Sequence, residues 1–129
     1  MARLFILLAA LFGLAGVALG AFAAHGLRRV LDAAHLEVFQ TAVHYQQWHA
    51  LALLGAGLMA LHRPGRLLGA AGGLFVAGIL LFSGSLYLLT LTSVGRLGLV
   101  TPLGGLCFMA GWLCLGLAAW RWPAGDRAA

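Results

Sequence analysis

The sequence predicts an all-α membrane protein: a polytopic four-helix bundle with a short amphipathic surface helix between spans 1 and 2. Three observations carry this. The chain is 63% hydrophobic and only 9% charged, with mean hydropathy +1.00, whereas a soluble domain averages about 25% charged residues. Its apolar residues fall into four runs long enough to cross a hydrocarbon layer of about 30 Å. Its cations are all Arg, scattered singly or in pairs between those runs, so the formal charge of +5 reads as membrane-flanking anchors. With no basic face present, nucleic acid is excluded as a partner. The whole chain, 1–129, reads as a single membrane domain. The Ala/Gly/Leu/Arg bias, with Lys and Asn absent, fits a GC-rich bacterial genome.

The first run, Leu4 to Ala24, has no charge over 21 residues. Met1-Ala2-Arg3 before it and Ala21-Phe22-Ala23 at its end imitate a secretory signal, but a signal core is only about 7–15 residues long. Gly16 and Gly20 stand at the spacing that lets membrane helices approach closely, with Gly13 nearby, so a retained helix is expected. Leu27 to Thr41 comes next. Leu27, Val30, Leu31, Ala34 and Val38 share one helical face, and Arg28, Arg29, Asp32, His35 and Glu37 take the rest. That pattern predicts an amphipathic helix on the membrane surface, running into the second span, with Arg28 and Arg29 as its surface contacts; a polar loop is the alternative. Val43–Leu61 is the second span, and His62-Arg63-Pro64-Gly65-Arg66 a tight turn. Leu67–Leu91 is the third, Thr92–Val100 a short connection, and Pro102–Trp120 the fourth, with Thr101 as its expected N-cap and Pro102 at its first position. Cys107 and Cys114 lie two turns apart on the fourth run, about 10 Å, too far to bridge within one helix.

Orientation follows from Arg. One side holds Arg3, Arg63, Arg66, Arg121 and Arg127; the other holds Arg28, Arg29 and Arg96, offset by Asp32 and Glu37. Both termini are therefore expected in the cytoplasm.

The uncharged polar residues are asymmetric. His25 ends the first span; Tyr45, Gln46 and His49 begin the second; Ser83, Ser85, Tyr87 and Thr90 end the third; Thr101 starts the fourth. With antiparallel neighbours all of these lie toward the side opposite the termini. Around the second helix, with His49 at zero, Ala42 falls at about +20°, Tyr45 at about −40° and Gln46 at about +60°, one stripe, while Gln40, Glu37, His44 and Gln47 lie opposite. His49 is about 18 Å from the far end of its span, too deep for an imidazole against lipid, so the stripe should face inward. An ionisable residue at that depth is a functional candidate; the plain alternative is that it fixes packing by bonding a neighbouring helix.

Metal binding is the sharper idea and the spacing opposes it. His44 and His49 are about 140° apart on one helix, and neither an i, i+4 histidine pair nor a Glu-x-x-His motif occurs. His25 and His49 supply two ligands at most. No Ser-His-acid set, no phosphate-cradling glycine loop and no acid inside a span is present.

Four ordered motifs resemble one known family. Gly20-Ala21-Phe22-Ala23-Ala24-His25-Gly26-Leu27, Thr41-Ala42-Val43-His44-Tyr45-Gln46 with His49-Ala50-Leu51-Ala52-Leu53-Leu54, Phe82-Ser83-Gly84-Ser85-Leu86-Tyr87, and Thr101-Pro102-Leu103-Gly104-Gly105 with Gly111-Trp112 are similar to the domain of unknown function 423 family. Small bacterial inner-membrane proteins and the eukaryotic transmembrane protein 256 belong to it. Ala23 stands where the family usually has Gly, and Gln47 and Trp48 where Met and Tyr are usual. The resemblance implies four spans with the first helix retained. It implies no activity.

The expectation is a non-enzymatic protein of the bacterial inner membrane. Its candidate ligand-binding residues are His25, Tyr45, Gln46, His49, Ser83, Ser85 and Tyr87, and these hold a small ligand or lipid, or dock a larger membrane complex. An oligomeric proton or solute conduit is the second reading. A redox subunit carrying a metal, haem or quinone at His25 and His49 is the third. No catalytic residue and no resident cofactor is expected; the partners are the lipid bilayer and a homo-oligomer or larger complex.

Overall fold

A computed structural model of the chain describes residues 1–122, so Arg127 lies outside the described residues. The described residues form helices joined by short turns, with no strand among them. Helix α1 is Ala2–His25, α2 Ala33–His62, α3 Arg66–Gly78, α4 Gly84–Thr92 and α5 Thr101–Trp120. A π turn, Ile79–Ser83, joins α3 to α4 without a break. Three stretches are long and apolar enough to cross a membrane: Ala2–Arg29, Arg66–Thr92 and Gly95–Trp120. Helix α2 has 30 residues, about 45 Å of length, but its polar first half dilutes its hydropathy.

Each boundary has a local cause. The amphipathic segment expected over 27–41 is divided. Leu27–Arg29 is a single 3-10 turn, and α2 begins after Asp32, whose Oδ1 accepts from His35 N at 2.8 Å as an N-cap. The cap resets the helical phase, so the expected apolar face is not the one used. Val30 is 78% exposed, whereas Phe39 is fully buried, with Leu27 and Val43 beside it. From Ala33 the helix runs unbroken to His62. Pro64 then holds Arg63 in extended backbone, φ −142° and ψ 92°, and stops it. Ser93 ends α4 in the left-handed region at φ 56°. Thr101, expected to cap the fourth span, is its first helical residue and caps nothing.

Backbone contacts concentrate where α1 runs along α2, where α2 meets α3, the π turn and α4, and where α3 and the π turn meet α5. Small residues set these approaches. A Cβ on Gly16 would lie 2.9 Å from Gln47 Cγ, and one on Gly57 3.0 Å from Ile6 Cγ1, so α1 and α2 are antiparallel and in contact near both ends. Against Gly104 the obstacle is backbone: a Cβ there would fall 2.8 Å from Phe82 Cα, which seats α5 directly on the π turn. One apolar core centres on Phe5, Leu53, Phe75, Ile79 and Phe108, and a second on Leu27, Phe39 and Val43. The outer surface carries Leu7, Leu14, Val17, Leu51, Leu80, Leu106 and Leu113, all more than half exposed, a surface that only lipid would solvate.

Candidate functional site: a lateral groove beside His49

The predicted site residues divide into a wired interior, an open groove and a separate end. Gln46 is the centre of the wiring. Its Nε2 donates to the Phe12 carbonyl of α1 at 2.8 Å, and its Oε1 accepts from Tyr87 of α4 at 2.9 Å. Tyr87 in turn lies against Phe39, ring centroids 4.8 Å apart. Ser83, fully buried, donates to the Ala42 carbonyl at 2.8 Å. The Ser85 hydroxyl lies 2.9 Å from the Phe82 carbonyl and 2.8 Å from Thr101 Oγ1, so these two hydroxyls bond each other across α4 and α5. The π turn explains this crowding. Widening the helix re-aims successive carbonyls, and Ser83 and Ser85 flank the place where it does so.

His49 stands apart from that wiring. Its hydrogen bond runs within α2, from Nδ1 to the Tyr45 carbonyl at 2.6 Å, and none joins it to Ser83, Ser85 or Tyr87. A carbonyl only accepts, so Nδ1 carries the proton and Nε2 presents a lone pair. The ring lies face to face on Phe108, centroids 3.5 Å apart and planes 11° apart. Phe75 and Trp112 stand at 6.0 and 6.2 Å, and Tyr45 stacks on Phe82 at 4.4 Å. Phe108 and Trp112 straddle the middle of α5, which puts His49 near mid-depth.

The inward stripe of α2 is therefore Ala42, Gln46 and His49, all buried, while Tyr45 at its edge is 42% exposed. Beside Tyr45 and His49 opens a groove of about 530 Å³, lined also by Phe82, Pro102, Leu106, Phe108, Met109 and Trp112. Among the described residues no fully buried side-chain nitrogen or oxygen lacks a partner. His49, 7% exposed, is one of the residues that line this groove, and its Nε2 makes no hydrogen bond among the described residues. The mouth of the groove faces outward through Leu106 and Met109, both more than half exposed.

His25 lies outside the cluster, exposed, with Nδ1 bonded to the Ala21 carbonyl at 3.0 Å. Arg28 and Arg29 are exposed on the 3-10 turn beyond it. No three His, Cys, Asp or Glu side chains converge among the described residues. Sequence reasoning missed Phe108 and Phe75, the rings that hold His49. Both sit in apolar runs where periodicity is flat, and only proximity to Gly111 and Gly78 marks them, since each ring fills the space of a missing Cβ.

Apolar helices with an apolar outer surface and a polar interior whose hydrogen bonds are closed from within define an integral membrane protein of the helical class. The chain belongs to the family described as protein of unknown function (DUF423), whose sequence pattern matches residues 19–105. It is 43% identical to the UPF0382 membrane protein YwdK of Bacillus subtilis (strain 168) over 120 residues, 91% of this chain and 96% of that one. It is 40% identical to the UPF0382 inner membrane protein YgdD of Escherichia coli (strain K12), covering 92% and 91% of the two chains. A UPF0382 membrane protein of Haemophilus influenzae is also 40% identical, over 117 residues. No solved structure shows a significant match.

Proposed function

We propose that this is a four-span protein of the bacterial inner membrane that holds a lipid-soluble, hydroxyl-bearing small molecule in the groove between α2 and α5, with His49 Nε2 as acceptor. The fourth crossing is α2. It keeps company with α1 from Gly57 beside Ile6 to Val43 beside Gly20, so if α1 crosses, α2 crosses with it. The inner-membrane placement is supported by the Escherichia coli relative's name.

One observation carries the ligand: among the described residues the fully buried side-chain polar atoms are paired, while His49, which lines a lateral opening, has an imidazole nitrogen without a partner. An unpaired acceptor in hydrocarbon costs about 1–3 kcal/mol, and a donor arriving from the bilayer removes that cost. The flat walls of Phe82, Phe108 and Trp112 suit a ring or flat skeleton, and Tyr45 adds a hydroxyl at the rim. The role is binding: around His49 and Tyr45 the groove is walled by aromatic and aliphatic side chains.

The test is native mass spectrometry of protein extracted in mild detergent. Wild type should retain a small apolar molecule. His49→Phe keeps a stacked ring on Phe108 but removes the acceptor, so it should lose that molecule while helicity and thermal stability stay at wild-type values. Equal retention by the variant, or no retained molecule in wild type, would overturn the reading.

A further inference from the structure

A second cavity lies at the opposite end of the molecule and takes no part in the groove. It occupies about 420 Å³, within the range of small-ligand sites, and is lined by Arg63, Pro64, Gly65, Arg66, Leu67, Leu68, Ala118, Arg121 and Trp122. Three of the chain's eight cations therefore surround one hollow, two from the turn between α2 and α3 and one from the end of α5. No acid lines it. Among the described residues the acids are Asp32 and Glu37, and Glu37 lies about 39 Å along α2 from Arg63. The guanidinium groups of Arg66 and Arg121, which flank this cavity, repel one another and attract an anion.

The chemistry of the lining narrows the anion. Arg forks match tetrahedral phosphate oxygens in pairs. The first turn of α3 opens on the same hollow; its N-cap is Gly65, which offers no side-chain oxygen to the backbone N–H groups there. The Arg63 guanidinium is held over the Trp122 ring, 5.6 Å from its centroid, so Arg66 and Arg121, both exposed, are the free-ranging pair. Leu67, Leu68 and Ala118 continue the lining toward the apolar stretches of α3 and α5. A hollow that is cationic at its mouth and apolar at its floor, at the level where the apolar runs end, has the layout of a lipid and not of a free ion. We infer that this cavity binds the phosphate of an anionic phospholipid, with Arg66 and Arg121 on the phosphate oxygens and the acyl chains along Leu67 and Ala118.

The experiment titrates the full-length protein with phosphatidylglycerol or phosphatidylcholine and counts retained lipid by native mass spectrometry. Phosphatidylglycerol should be preferred in wild type. R66Q/R121Q should reduce that preference on the order of thirty-fold, two surface cations being removed, and R66K/R121K, which keeps the charge but not the fork, should fall between it and wild type. R121Q alone, altered beyond the end of α5, should show a partial loss and serves if the double variant does not insert. Equal retention of the two lipids by wild type, or a preference that survives in R121Q and R66Q/R121Q, would overturn the assignment. So would displacement of the lipid by millimolar inorganic phosphate, which would make the site one for the free anion.

Discussion

Through Gln46 one side-chain amide ties three helices together: Nε2 reaches the Phe12 carbonyl of α1, and Oε1 takes the Tyr87 hydroxyl of α4. The two bonds are not equivalent. The Phe12 carbonyl is already inside a helical ladder, so losing Gln46 leaves it paired, whereas Tyr87 has its hydroxyl pointed at nothing else polar. Gln46→Leu should therefore destabilise more than Tyr87→Phe, and the double variant should recover part of the loss, because removing both partners leaves no orphan. The coupling energy should be about 0.6 kcal/mol, the average for polar pairs in membranes, and no more than about 1.7 kcal/mol. Unfolding of the four species by SDS in bicelles measures it, and strictly additive losses would mean that the bond contributes nothing. At this scale the sequence was legible in part. Helical counting brought Gln46 and His49 to one face, since depth in lipid punishes unpaired polar groups. It did not give their partners: Ser85 meets Thr101, a pairing set by a π turn, which shifts every later side chain on its helix and leaves no mark in an apolar run.

Helix α2 shows how an element boundary controls what its residues do. The Leu27, Val30, Leu31, Ala34 and Val38 pattern is periodic, yet Asp32 interrupts it, because a carboxylate that caps a helix must itself leave helical backbone, here at ψ 167°. Periodicity reads faces, not starts, which is why the segment looked continuous. The cap has a pH signature. The His35 backbone N–H, then the His35 ring, hold the Asp32 carboxyl below its ordinary value of 3.8. The stabilisation is thus fully present above that value and is lost as pH falls through the lowered folded-state value. Hydrogen exchange at the His35 amide, corrected for the intrinsic rate, should lose protection in that acid window. Asp32→Asn keeps an acceptor at the N-cap but cannot titrate, so its protection should stay flat with pH. A wild type equally flat would show that the carboxylate does not hold the start of α2.

At the scale of the whole molecule, run length located the helices, because at this hydropathy no alternative solvent is open to them. It left the role of α2 ambiguous: His44, Gln46, Gln47 and His49 lower its hydropathy to the level of a buried soluble helix, though Gln46 and His49 are turned inward by packing that composition does not record. Membrane topology resolves the ambiguity. If α2 lay on the surface, three crossings would remain, and the two termini would emerge on opposite sides. Its contacts from Gly57 to Val43 make α2 antiparallel to α1; if it crosses with α1, the termini emerge on the same side, and the Ser93–Val100 connection emerges on the other. The Arg balance predicts a cytoplasmic terminal side, since in that arrangement Arg3, Arg63, Arg66 and Arg121 all end there. Paired reporters, one active only in the cytoplasm and one only outside it, fused at each terminus and inserted after Gly95, should therefore give cytoplasmic signals at both termini and an external signal at the loop. Termini that report opposite sides would establish the three-crossing arrangement, place His49 at the membrane surface, and remove the physical basis for its groove.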